Sequence, residues 1–168
     1  MPKEKRVKDT MRPLEDYLKI PADANVRAAL GLFQTTRGNR RSQSSLIVID
    51  KTPDGDKRIV GFLSLENIVK GIESFVRDKS SFSSNSAPIF WEGLFTEECN
   101  TELEKKVRDL MTPVGITINK NDNLMKAIYI MDCHKLSRVL VVDGQKPVGI
   151  IRLKDIFKEI THIALKSD

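Results

Sequence analysis

Apolar residues follow two different periods along this chain, and the periods alternate. Val26, Ala29, Leu30 and Phe33, and again Leu124, Ala127, Ile128 and Met131, are spaced i, i+3, i+4, i+7, which places each set on one face of an α-helix. Both helices begin at a cluster of residues whose side-chain oxygens accept from first-turn N–H groups, Asp23 with Asn25 and Asp122 with Asn123. Short extended segments, Tyr17 to Ile20 and Gly115 to Ile118, lead into them. Downstream the period collapses to continuous apolar runs, Leu46 to Ile49 and Val139 to Val142, as expected of strands buried on both faces. Each run ends at an Asp and a turn, Thr52-Pro53-Asp54-Gly55 or Asp143-Gly144-Gln145. The chain then returns as Ile59 to Leu63 or Pro147 to Ile151, making two hairpins. A second helix closes each series, with Leu65, Ile68, Val69 and Ile72 in one and Leu153, Ile156, Phe157 and Ile160 in the other. The faces expected to pack on a sheet are those of the first helix in each series, Val26 to Phe33 and Leu124 to Met131.

The two series are one unit written twice. Val7-Lys8-Asp9-Thr10-Met11-Arg12-Pro13 returns as Val107-Arg108-Asp109-Leu110-Met111-Thr112-Pro113, with Val, Asp, Met and Pro in place. The copies lose most of their step in the polar stretches around 35–45 and 51–59, where insertion into a loop is tolerated. The expected fold is α/β (α+β): two repeats of strand, helix, strand, strand, helix, packed with pseudo-twofold symmetry. One repeat of about 50 residues buries too little surface to stand alone, so a shared core is expected. The repeats would occupy 1–73 and 107–168. Between them, 74–106 is a connector with a Ser-rich stretch, Ser80 to Pro88, and an aromatic cluster, Ile89-Phe90-Trp91-Glu92-Gly93-Leu94-Phe95. That cluster is expected either to dock on its own module or to anchor a dimer or partner interface through Trp91 and Phe95.

Composition narrows the function classes. With 168 residues, 40% hydrophobic and 30% charged, the chain can bury a core, which excludes disordered and collagen-like readings. Its net charge of +5 permits anionic ligands without requiring nucleic acid. Cys99 and Cys133 form no Cys-x-x-Cys pattern, so free thiols are expected. No window nears the roughly 18 apolar residues that span a bilayer, and no leader pattern is visible, so a cytoplasmic location without membrane contact is expected. His134 and His162 lack metal-ligand spacing, adjacent Cys133 and His134 face different ways on a helix, and no phosphate-binding loop occurs. The reading is a protein that is not an enzyme, with no catalytic residues and no metal. Arg37, Arg40 and Arg41 make weak nucleic-acid binding a minor alternative, or a loop that reaches polyphosphate.

The Val-x-Asp-x-Met-x-Pro entries, the Ala-Leu-x-x-Phe of Ala29 to Phe33, the strand Arg138 to Asp143 and the Gly-x-x-Ser-x-x-Asp-like ends of the hairpins together resemble a tandem pair of cystathionine beta-synthase (CBS) domains, a Bateman module. The resemblance implies a stand-alone regulatory module. It would need no cofactor and would bind AMP, ADP, ATP or S-adenosylmethionine as effector in a cleft between repeats, form a homodimer and signal to a regulated partner protein by a change of shape. A purely structural dimerisation module with vestigial clefts is the alternative. In the family pattern the final carboxylate accepts from both ribose hydroxyls while the Ser/Thr hydroxyl and the helix N-terminus face phosphate. Neither copy keeps the whole pattern. Gly61-Phe62-Leu63-Ser64-Leu65-Glu66-Asn67 has Asn in place of the carboxylate, and Gly149-Ile150-Ile151-Arg152-Leu153-Lys154-Asp155 has Arg in place of the hydroxyl. The resemblance implies that the better cleft combines Asp155, Arg152, Lys154 and Arg138 with Asp16, Tyr17, Leu18 and Leu46. The weaker combines Ser64, Asn67 and Ser45 with Gly115, Ile116 and Ser137.

Overall fold

The computed structural model of the chain describes residues 3–35, 44–80 and 90–166. The arginine-rich insertion and most of the Ser-rich stretch lie outside the described residues. In chain order the elements are α1 (Val7–Thr10), β1 (Arg12–Pro13), a 3-10 turn (Leu14–Asp16), β2 (Lys19–Pro21), α2 (Val26–Thr35), β3 (Ser45–Lys51), β4 (Lys57–Ser64) and α3 (Leu65–Ser80). They continue with α4 (Leu94–Leu103), α5 (Val107–Leu110), β5 (Thr112–Pro113), β6 (Thr117–Asn119), α6 (Leu124–Cys133), β7 (Arg138–Asp143), β8 (Lys146–Arg152) and α7 (Leu153–Leu165).

These elements form two compact units that cut the chain differently from the repeat boundaries 1–73, 74–106 and 107–168. One unit joins the N-terminal residues through Asp16 to everything from Val114 onward; the other is Tyr17–Pro113. Each entry segment is thus built into the unit that carries the other repeat's sheet.

In the unit Tyr17–Pro113 the sheet order is β2-β3-β4-β5. β2 runs parallel to β3 with Ile20 opposite Val48. β3 and β4 form the antiparallel hairpin, and β5 caps β4 with Phe62 opposite Thr112. The other unit repeats the plan as β1-β8-β7-β6, with Ile118 opposite Val141, Val139 opposite Ile151 and Arg12 opposite Ile150. Both hairpins shift register at the same place, between Val48 and Ile49 and between Val141 and Val142. Pro13 and Pro113 sit on edge strands, where a missing N–H donor is tolerated.

The two-residue edge strands lie very close to the hairpins, and glycine makes that possible. A Cβ at Gly149 would stand 2.6 Å from the carbonyl oxygen of Arg12 and 2.7 Å from the sulfur of Met11. At Gly61 it would stand 2.7 Å from the carbonyl oxygen of Thr112 and 2.8 Å from the sulfur of Met111.

Each unit closes its own core over the foreign entry. Val107 is fully buried with Ile20, Val26, Ala29, Leu46, Val48 and Leu63. Its N–H donates to the carbonyl of Ala24 at 2.8 Å, and Arg108 donates to Asp23 at 3.1 Å and to Asp50 at 3.0 Å. The bond from Arg108 holds the Asp50 carboxyl below its usual range. Val7 is the counterpart, buried with Ile118, Ala127, Val139, Val141 and Ile151, its N–H donating to the carbonyl of Asp122 at 2.9 Å.

In α3 and α7, Ile68 and Ile156 are buried, while Leu65, Val69, Leu153, Phe157 and Ile160 are exposed, because the apolar stripe of each helix is wider than what covers it. Among the described residues of the connector's aromatic cluster, Phe90 and Phe95 are each 73% exposed, Trp91 is 46% exposed and Leu94 is buried. From α4, which packs against α3 and α2, Glu98 and Glu102 are buried, with Lys105 on Glu102 at 2.9 Å.

Candidate functional site

β8 ends where α7 begins, and the junction residue, Arg152, is the N-cap of that helix in extended backbone geometry. An Asp at the third helical position is well placed to accept from the exposed N–H groups of a helix start. Asp155 does accept the backbone N–H of Arg152, at 3.3 Å, but it also takes the Arg152 side chain. Arg152 Nε donates to Asp155 Oδ2 at 2.8 Å and Arg152 Nη2 to Asp155 Oδ1 at 2.6 Å. This side-on pair is buried, each side chain only 8% exposed. The acid and the base that the resemblance assigns to ribose and to phosphate therefore hold each other.

More positive charge surrounds the pair. Arg138 is the cross-strand partner of Arg152 in the β7–β8 ladder, and Arg12 lies on β1 along the other edge of β8. Lys154 is exposed. Its ammonium is pushed below the usual lysine value by desolvation and then by the charges of Arg152 and Arg12, against the opposing pull of Asp155. Arg12, Arg138, Arg152 and Lys154 thus gather about one carboxylate, an arrangement whose field favours an anion. Arg12 is not among the residues that sequence reasoning assigns to the site. It is the variable residue of Met-x-Pro, and only the exchange of entry segments brings it to β8.

The matching junction of the other unit is neutral. Ser64 N–H and Ser64 Oγ both donate to Asn67 Oδ1 at 2.8 Å, Asn67 N–H returns a bond to Ser64 Oγ at 3.2 Å, and Asn67 Nδ2 donates to Thr112 Oγ1 at 3.0 Å. Ser64 thereby caps α3, Asn67 completes the capping box, and its amide ties down the foreign strand β5 as well. Ser45 is buried as the cross-strand partner of Ser64.

The remaining expected residues are distributed between the units. Asp16 closes the 3-10 turn beside β8 and is half-buried. Tyr17 is buried and Leu18 half-buried in the unit Tyr17–Pro113. Leu46 is fully buried in that unit's own core. Gly115 and Ile116 precede β6 in the other unit. Ser137 precedes β7, and its carbonyl accepts the N–H of Leu153 at 2.9 Å. Cys133 is exposed and unbridged, and its hydrogen bond with Tyr129 lifts that phenol above its ordinary range. Among the described residues no three His, Cys, Asp or Glu side chains gather as a metal ion would require, and no helix is long and apolar enough to cross a membrane.

Two repeats of this topology lie where the family model for the CBS domain matches, residues 7–74 and 107–162. The chain belongs to the CBS domain family. Among curated relatives it is 40% identical over 58 residues to uncharacterized protein MJ1404 and 38% identical over 60 residues to uncharacterized protein MJ1232, both of Methanocaldococcus jannaschii. Those matches cover 34% and 35% of this chain but only 14% and 20% of the relatives, so the chain spans a small part of their length. Solved structures agree over nearly the whole chain. An uncharacterized conserved protein of Pyrococcus horikoshii superposes with TM-score 0.63 at 22% identity, covering 95% of this chain and 94% of that one. CBSX2, solved in complex with AMP, gives TM-score 0.60 at 22% identity, covering 95% and 98%. The CBS domain of a bacterial CNNM/CorC family Mg2+ transporter, solved with ATP, gives 0.63 at 18%, covering 94% and 87%. At these identities the likeness establishes the fold.

Proposed function

We propose that the chain is a regulatory module that senses an adenine nucleotide or S-adenosylmethionine, and that the β8–α7 junction takes the ribose and the charged end of that ligand. The observation that carries this reading is the set of four cations gathered about one buried carboxylate at a helix start. Arginine meets phosphate through paired donors, and the N-terminus of α7 adds its own N–H groups. Asp155 supplies the acceptor for ribose hydroxyls. That CBSX2 and the transporter domain were solved with AMP and ATP supports the adenine end of the assignment. The neutral junction around Ser64 and Asn67 has no carboxylate for ribose and is the weaker or empty site. For the ligand to regulate a partner protein, it must favour one arrangement of the chain over another, since equal affinity shifts nothing.

Thermal-shift titration with AMP, ADP, ATP and S-adenosylmethionine tests the reading. A ligand at 100 times its Kd stabilises by about 2.7 kcal/mol. Asp155→Ala should abolish the shift, each protein being compared with its own unliganded state, and Asn67→Ala should keep most of it. No shift with any of the four ligands rejects the sensing role, and equal loss in both variants rejects the choice of junction.

A second reading, a structural dimerisation module, has its own support in the exposed Leu65, Val69, Leu153, Phe157 and Ile160 on α3 and α7. A homodimer through these helices is compatible with either role. Sedimentation should show a dimer that Phe157→Glu converts to monomer; a monomeric parent chain rejects the dimer.

A further inference from the structure

Resting on the nucleotide reading above, we infer that Arg152 is a latch on Asp155 that phosphate releases: a ligand's phosphate draws the guanidinium away, and only then does the carboxylate accept the ribose hydroxyls. The site would therefore admit nucleotides and turn away nucleosides, which narrows the ligand to the phosphate-bearing members of the set proposed above.

The geometry of the closed state is on the Asp155 oxygens. Oδ1 accepts from Arg152 Nη2 at 2.6 Å and Oδ2 from Arg152 Nε at 2.8 Å, so one guanidinium occupies both oxygens side-on. A ribose diol needs the same two oxygens, because its hydroxyls lie on adjacent carbons. With the Asp155 side chain 8% exposed, no open edge of the carboxylate is large enough for a sugar. The ligand must displace Arg152.

A nucleoside brings nothing that competes for a guanidinium. A phosphate does, and it arrives where the surroundings already favour anions, among Arg12, Arg138 and Lys154. Asp155 is not abandoned when Arg152 turns, since the backbone N–H of Arg152 stays within reach and the ribose hydroxyls replace the guanidinium. The other unit shows what the latch adds: the residue in the same place is Ser64, whose neutral hydroxyl donates to Asn67 Oδ1 and accepts from Asn67 N–H and carries no charge for phosphate to compete over. Phosphate and ribose are thereby coupled through one side chain, and the coupling is reciprocal.

Calorimetric titration of the full chain with AMP, and with adenosine in the presence and absence of inorganic phosphate, tests the latch. For the parent protein, adenosine alone should bind far more weakly than AMP, and saturating inorganic phosphate should tighten adenosine by about fivefold or more, the lower bound of ordinary coupling. Arg152→Ser should bind adenosine more tightly than the parent does, and phosphate should no longer help. If AMP binds the parent while phosphate leaves its adenosine affinity unchanged, or if Arg152→Ser fails to tighten adenosine, the latch is overturned and the nucleotide reading stands. If neither protein binds AMP, both fall. The phosphate effect on the parent chain needs no substitution, so a variant that folds poorly does not decide the matter.

Discussion

At the head of α7 a guanidinium and a carboxylate share one buried bidentate contact, and removing either breaks a buried ion pair. Asp155→Ala should therefore lower unfolding free energy by about 3 to 5 kcal/mol in urea titration, whereas Asn67→Ala, which removes a neutral cap, should lower it by about 1 kcal/mol. Lys154 makes a different prediction. Its pKa is lower in the folded chain than in the unfolded one, so across the pH range just below the ordinary lysine value the unfolded chain binds more protons and stability rises with pH. The stability difference between the parent and Lys154→Gln should shift in the parent's favour as pH rises through that range; a constant difference would remove Lys154 from the cluster. The i to i+3 spacing of Arg152 and Asp155 is visible in the sequence as the spacing of a capping box. A guanidinium in the place usually held by Ser or Thr is what hid their mutual bond.

At the level of elements, the close approach of β1 to β8 and of β5 to β4 depends on two glycines. In both cases backbone oxygen stands under 3 Å from any added Cβ, so one strand must move. Gly149→Ala and Gly61→Ala should each destabilise by about 1 to 3 kcal/mol, measured by urea unfolding, while the far more exposed Gly115→Ala should change little. The helices and the hairpins were legible from apolar spacing, and α2, α6, β3 and β7 fall where the pattern predicts. The short parallel strands lie one or two residues later than their extended segments suggest, at Lys19–Pro21 and Thr117–Asn119, since three residues carry no period. Two matters were not legible, for one physical reason. Spacing says that Leu153, Ile156, Phe157 and Ile160 share a face but not how much of that face is covered. Likewise, Val7 and Val107 read as core residues without any sign of which core they enter. Both are decided by tertiary placement.

For the molecule as a whole, the exchange of entry segments separates the order of the sequence from the order of the structure. Residues 17–113 form one of the two units without interruption, so that fragment should give a cooperative unfolding transition by circular dichroism, and 1–73, which lacks Val107 and β5, should not. The other unit is discontinuous, drawn from both ends of the chain. A polypeptide severed anywhere within 81–89 would thus yield two pieces, each missing a wall that the other possesses. Expressed apart they should fail to fold, and expressed together they should recover each other, as complementing fragments do. The repeat that looks like redundancy in the sequence makes each half hostage to the other, so that neither can be lost, or evolve its opening segment freely, while its sibling survives.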